Sequence, residues 1–130
     1  MKEDTRRQAG QINAFVVHNH IHAATLGPDS AQAVLDIVPE SLNAWGVLHG
    51  GAYYTLADAA CGRACREDGR SYVTLNGALS FMKAARSGRV TALARILRRG
   101  RSTTVIHVEI TSGDKTLLAC GEFTFFCTSG

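Results

Sequence analysis

Residues 43–58, NAWGVLHGGAYYTLAD, hold the side chains of this chain best suited to chemistry. Asp58 is a carboxylate set among small and apolar residues, and burying a carboxylate is costly unless partners or work compensate. Either it accepts hydrogen bonds from neighbouring backbone or hydroxyl groups, or it is a base that activates water or a nucleophile that attacks a carbonyl. Eight residues earlier, Gly50 and Gly51 stand where helical spacing begins. A helix start presents unpaired N–H groups and positive dipole, and glycine lets a ligand atom come close. Such amides suit a carbonyl oxygen that becomes negative during acyl transfer; the plainer reading is a tight turn into the helix.

Spacing adds a constraint. Eight residues at ~1.5 Å rise separate Gly50 from Asp58 by roughly 12 Å along a helix axis, too far for both to act on one carbonyl carbon. Two copies with antiparallel helices would bring the glycine end of one to Asp58 of the other, giving two equivalent sites about a twofold axis.

The elements that must position these groups follow from periodicity. Helical spacing runs over about residues 50–66, with Ala52, Leu56, Ala60 and Ala64 on one line and Tyr54, Asp58, Cys61 and Cys65 on the next. Period-two alternation marks RVTALARIL, TTVIHVEI and TLLACGEFTFF as antiparallel strands, preceded by SYVTLNGALSFM; IHAATL and AQAVLDIV flank the turn GPDS. The predicted fold is α+β: one antiparallel sheet of about six strands wrapped around one central helix, whose small side chains allow close approach. The length of 130 residues, 45% of them hydrophobic and 19% charged, suits a single domain, with residues 1–10 a loose terminus.

Apolar runs fall far short of the roughly 18 residues a bilayer span requires, and the charged N-terminus carries no secretory pattern, so a soluble, cytoplasmic protein is expected. The net charge of +3 gathers in RILRRGR and around Lys83, Arg86 and Arg89. Without interleaved aromatics or a nucleic-acid-binding motif, this patch fits a small polyanion better than nucleic acid. Cys61, Cys65, Cys120 and Cys127 form no C-x-x-C pair and read as reduced, buried thiols. His18, His20 and His22 would align only if extended, and no carboxylate or cysteine of matching spacing joins them, so no metal is expected. His107 reads as a half-exposed strand residue beside Glu109.

The pattern N-x-x-G-x-x-H-G-G-x-x-x-x-L-x-D, carried by Asn43, Gly46, His49, Gly50, Gly51, Leu56 and Asp58, resembles the signature of hotdog-fold acyl-CoA thioesterases of the phenylacetyl-CoA (PaaI-like) type. The likeness continues through VTLNGALSFMKAARSGRVTALARILRRGRSTTVIHVEI and covers roughly residues 20–127; Ala84 stands where the family usually has proline. It implies a homotetramer built as a dimer of dimers, and hydrolysis of an acyl-CoA, aryl or short to medium, without metal or cofactor beyond the CoA of the substrate. It implies Asp58 as base or nucleophile, the Gly50 amide at the thioester carbonyl, and Asn43 orienting water or thioester. His49 would brace the glycine turn or touch the thioester region, and Thr74 would hold the attacking water. Gly51 and Tyr54 would border the substrate, while Lys83, Arg86, Arg89, Arg98, Arg99 and Arg101 would meet the CoA phosphates. The alternatives are a non-catalytic acyl-CoA-binding module and a hotdog-fold hydratase or dehydratase. The latter uses a catalytic histidine, against which the helix carboxylate after H-G-G argues.

Overall fold

The computed structural model describes residues 13–129. A five-residue helix α1 (Ala14–His18) leads into β1 (Ile21–Gly27) and β2 (Ser30–Asp36); a single 3-10 turn (Pro39–Ser41) and a loop precede the long helix α2 (Gly50–Arg66). Then come β3 (Tyr72–Phe81), β4 (Arg89–Arg99), β5 (Thr103–Thr111) and β6 (Leu117–Cys127). The six strands form one antiparallel sheet in the order β1-β2-β4-β5-β6-β3. The sheet curls around α2, the hotdog arrangement expected from the sequence. The reading of residues 1–10 as a loose terminus falls outside the described residues.

Alternation explains how the sheet meets the helix. Ala31, Ala33 and Leu35 of β2, Val90, Ala92 and Ala94 of β4, and Ile106, Val108 and Ile110 of β5 are buried at every second position. Opposite them α2 buries Leu56, Ala57, Ala60, Cys61 and Ala64. Alanine on both surfaces lets the helix lie close to the sheet, and Phe123 of β6 supplies the largest fully buried side chain. Gly77 of β3 makes room for it, since a Cβ there would fall 2.5 Å from the Phe123 ring.

Three local features depart from the periodic reading. The buried face of α2 takes Tyr53 and turns Tyr54 outward, toward β3, where its hydroxyl donates to the Gly77 carbonyl and its ring lies 5.0 Å from that of Phe123. The link between β3 and β4 is a crossover, because β3 pairs with β6 while β4 pairs with β2 and β5. It passes over the start of α2, where Leu48 N donates to the Ala85 carbonyl at 2.7 Å. Finally, β3 is an outer strand with Val73 and Leu75 more than half exposed, so its free edge is apolar.

Cys61, Cys65 and Cys127 are buried and Cys120 half-buried, and no disulfide joins them. Burial pushes the Cys65 thiol up to about 12 and the Cys61 thiol further still, so both pack as inert apolar groups.

Candidate active site

The start of α2 is built by the N-x-x-G-x-x-H-G-G run. Asn43 Oδ1 accepts from Trp45 N (2.9 Å) and Val47 N (3.2 Å), and Gly46 takes the left-handed conformation at φ 78° that this turn needs. The turn delivers His49 as the N-cap of α2: its backbone N–H donates to Ser41 O at 2.9 Å, and its side-chain Nδ1 accepts from Gly51 N at 2.8 Å. His49 therefore braces the glycine turn, and the Gly51 amide is consumed. The Gly50 N–H finds no acceptor among the described residues and opens on a cleft of about 380 Å³ lined by Val47, Tyr53, Phe81, Met82 and Lys83. A donor at the positive end of a 17-residue helix, in an apolar cleft, is well placed for a developing oxyanion.

Asp58 lies two turns further along, facing a different cleft of about 370 Å³ bordered by α1, β1, α2 and β3. Its Oδ1 accepts from the Thr74 hydroxyl at 2.6 Å, so strand β3 brings a hydroxyl to the helix carboxylate. Burial pushes the Asp58 carboxyl above the ordinary carboxylate range; the Thr74 hydrogen bond and the Arg66 guanidinium act against that rise. A half-buried carboxylate with a raised proton affinity and one oxygen outside that hydrogen bond is fit to take a proton from water.

The structure brings together some of the expected residues and not others. Thr74 and Asp58 meet, as do Gly50, Lys83 and the β3 end, but the two groups line separate clefts. Asn43 is spent on its own turn through Oδ1 and lines neither cleft. Tyr54 bonds to β3 instead of bordering either one.

Among the basic residues, two have other employment. Arg89 pairs in a fork with Asp36 of β2 at 2.8 and 3.0 Å. Arg99 caps the end of α2: Nη1 donates to Cys65 O (2.9 Å) and Asp68 Oδ2 (2.8 Å), while Nη2 reaches Ala64 O, Pro28 O and Asp29 Oδ1. Its donors satisfy helix-end carbonyls that the helix itself leaves open. Arg86, Arg98 and Arg101 are exposed. Sequence reasoning passed over Arg63 and Arg66, which line the Asp58 cleft; the spacing Asp58–Gly62–Arg66, four and four residues, places them on one helical line.

The three histidines of HNHIH do not share a strand: His18 ends α1, His20 has φ 62°, and His22 belongs to β1. Among the described residues no three His, Cys, Asp or Glu side chains converge as a metal site. His107 Nε2 lies 3.0 Å from Glu109 Oε2 on the outer sheet face.

With this geometry in place, comparison with known proteins sets the class. The family model of the thioesterase superfamily matches residues 46–119. The chain belongs to that superfamily and is, by class, a hotdog-fold thioester hydrolase. It is 30% identical over 100 residues to the 1,4-dihydroxy-2-naphthoyl-CoA hydrolase of Escherichia coli K12, covering 75% of this chain and 73% of that one. It is 28% identical over 90 residues to the acyl-coenzyme A thioesterase PaaI of the same organism, covering 68% and 64%. The crystal structure of thioesterase HI1161 from Haemophilus influenzae superposes with a TM-score of 0.82 at 27% identity, covering 98% of this chain and 90% of that one.

Proposed function

We propose that this protein hydrolyses acyl-CoA thioesters, with aryl or short to medium acyl groups, in a site shared by two subunits. The observation that carries the reading is the separation of two complementary half-sites: an unpaired Gly50 amide in one cleft, and the Thr74-bonded Asp58 carboxylate in another. Neither half suffices alone. Eight residues of α2 hold them roughly 12 Å apart along the helix.

A second copy resolves the separation. The apolar outer edge of β3 pairs with the same edge of a partner, extending the sheet and setting the two α2 helices antiparallel. Gly50 of each subunit then faces Asp58 of the other, and two such dimers stack into a tetramer. That E. coli relatives are named acyl-CoA thioesterase and CoA hydrolase supports CoA as the thiol carrier. No helix among the described residues is long and apolar enough to cross a membrane.

The chemistry needs few groups. Asp58, acting as base, takes a proton from water; the hydroxide adds to the thioester carbon, and negative charge gathers on the oxygen held by the partner's Gly50 N–H. The C–S bond breaks, and the departing CoA thiolate receives the proton from Asp58. Direct attack by Asp58 through an acyl-anhydride uses the same placement.

The test is release of free CoA thiol across a panel of thioesters: phenylacetyl, benzoyl and acyl chains of two to ten carbons. Thiol release with unchanged acyl unsaturation is expected. Loss or gain of water across a double bond would make the protein a hydratase or dehydratase, and binding without turnover a sensor.

A further inference from the structure

The cleft beside Asp58 carries two cations on its wall, Arg63 and Arg66. Arg63 is committed: its Nε donates to Thr25 Oγ1 at 3.1 Å and lies 4.0 Å from Glu67 Oε2. Arg66 makes no hydrogen bond and no ion pair among the described residues. It folds back along the helix because Gly62 leaves room, so that a Cβ at Gly62 would come within 3.1 Å of Arg66 Nη1 and 3.4 Å of the Phe125 ring. Gly62 lies one turn from Asp58, about 6 Å along the axis. Arg66 is solvent-exposed at the cleft wall; partial desolvation and the neighbouring Arg63 push its guanidinium below the usual value, while the Asp58 and Glu67 carboxylates act the other way without a direct hydrogen bond.

We infer that Arg66 is a specificity-determining residue that binds a carboxylate on the far end of the acyl group, making the preferred substrates CoA monothioesters of dicarboxylic acids. This rests on the thioesterase reading, with Asp58 at the reacting carbonyl. A guanidinium one turn from Asp58 lies too near the thioester for the CoA phosphates, which the long pantetheine arm holds far from the sulfur. The anion it receives must therefore belong to the acyl arm. A planar fork with no protein partner matches a carboxylate in two parallel hydrogen bonds.

The experiment compares paired thioesters by thiol release from the full-chain protein, wild type, Arg66→Gln and Arg66→Lys: adipyl-CoA against hexanoyl-CoA, and 4-carboxybenzoyl-CoA against 4-methylbenzoyl-CoA. The readout is the ratio of kcat/KM within each pair, in which any loss transmitted through Asp58 cancels. The wild type is expected to favour the carboxylated member, and Arg66→Gln to collapse that ratio by about tenfold or more, with Arg66→Lys restoring part of it. An unchanged ratio in Arg66→Gln, or a wild-type preference for the neutral members or for 4-hydroxybenzoyl-CoA over both carboxylates, overturns the proposal. Hydrolysis of the neutral thioesters keeps the underlying thioesterase reading intact in those cases. Absence of turnover on every thioester overturns that reading itself.

Discussion

The shared site can be tested by removing one hydrogen atom's worth of function. Gly50 is the first residue of α2, and its N–H bonds to nothing within the described chain. Proline at this position deletes the donor while keeping a backbone shape that suits a helix start. His49 already has φ −64° and ψ 138°, the extended conformation that a residue before proline requires. The space is open as well, since a Cβ on Gly50 meets only the Phe81 ring at 4.0 Å. Gly50→Pro is therefore expected to alter stability by less than about 1 kcal/mol, yet to lower kcat by about 100- to 1000-fold through loss of the oxyanion donor. Mixing then locates the partner group. In a purified heterodimer of Gly50→Pro and Asp58→Asn subunits, one site carries both lesions and the other carries neither, so about half the wild-type activity returns. Both parent variants should be nearly inactive. A folded Gly50→Pro protein within about threefold of wild-type kcat would remove the Gly50 amide from the mechanism, and verified heterodimers without recovered activity would place both groups of a site in one subunit.

Three further outcomes follow from the geometry. Asp58→Asn should lower kcat by about a hundredfold or more with little change in binding, while raising thermal stability at neutral pH. The sign follows from the raised folded-state proton affinity: the native state holds that proton more tightly than the unfolded chain, so ionising Asp58 costs stability as pH rises, and the advantage of Asn should vanish in acid. Thr74→Val removes a hydrogen bond that favours the carboxylate, so the acidic limb of kcat against pH should move to higher pH; a limb that stays or falls would contradict the pairing seen at 2.6 Å. Arg99→Met strips the end of α2 of its cap and should destabilise the protein by roughly 2–4 kcal/mol in urea unfolding, with KM for an acyl-CoA unchanged; a raised KM with unaltered stability would return Arg99 to the substrate.

What the sequence disclosed depended on how local the signal was. The strands and α2 were legible because alternation and four-residue spacing are local properties, and Val90, Ala92 and Ala94 read inward as written. The H-G-G turn before a helix carboxylate was equally local, which is why His49 and Gly50 emerge at the start of α2 and Asp58 two turns into it. The fate of the arginines was not. Arg99 was grouped with Arg98 and Arg101 by proximity in the chain, but the pleat sends alternate side chains to opposite faces, and its guanidinium reaches carbonyls more than thirty residues away in sequence. The facing of the two tyrosines was not local either. Tyr53 and Tyr54 are equally apolar, and only the position of β3 decides which one turns inward.

The assignment of Asn43 shows how one motif can serve chemistry indirectly. Its Oδ1 holds two amides of the loop, the loop presents His49, and His49 Nδ1 takes the Gly51 amide. Each step removes a donor that would otherwise compete for a bound oxygen, until the Gly50 N–H alone is left open at the helix start. On this argument, the spacing N-x-x-G-x-x-H-G-G selects which amide remains free, and in the proposed shared site that amide faces Asp58 of a partner chain. Because selection acts on the free amide, substitutions at Asn43 should misplace Gly50 and lower kcat in step with Gly50→Pro, leaving the proton affinity of Asp58 and the pH profile as they were. A displaced acidic limb in Asn43→Ala would instead put that side chain in contact with the attacking water.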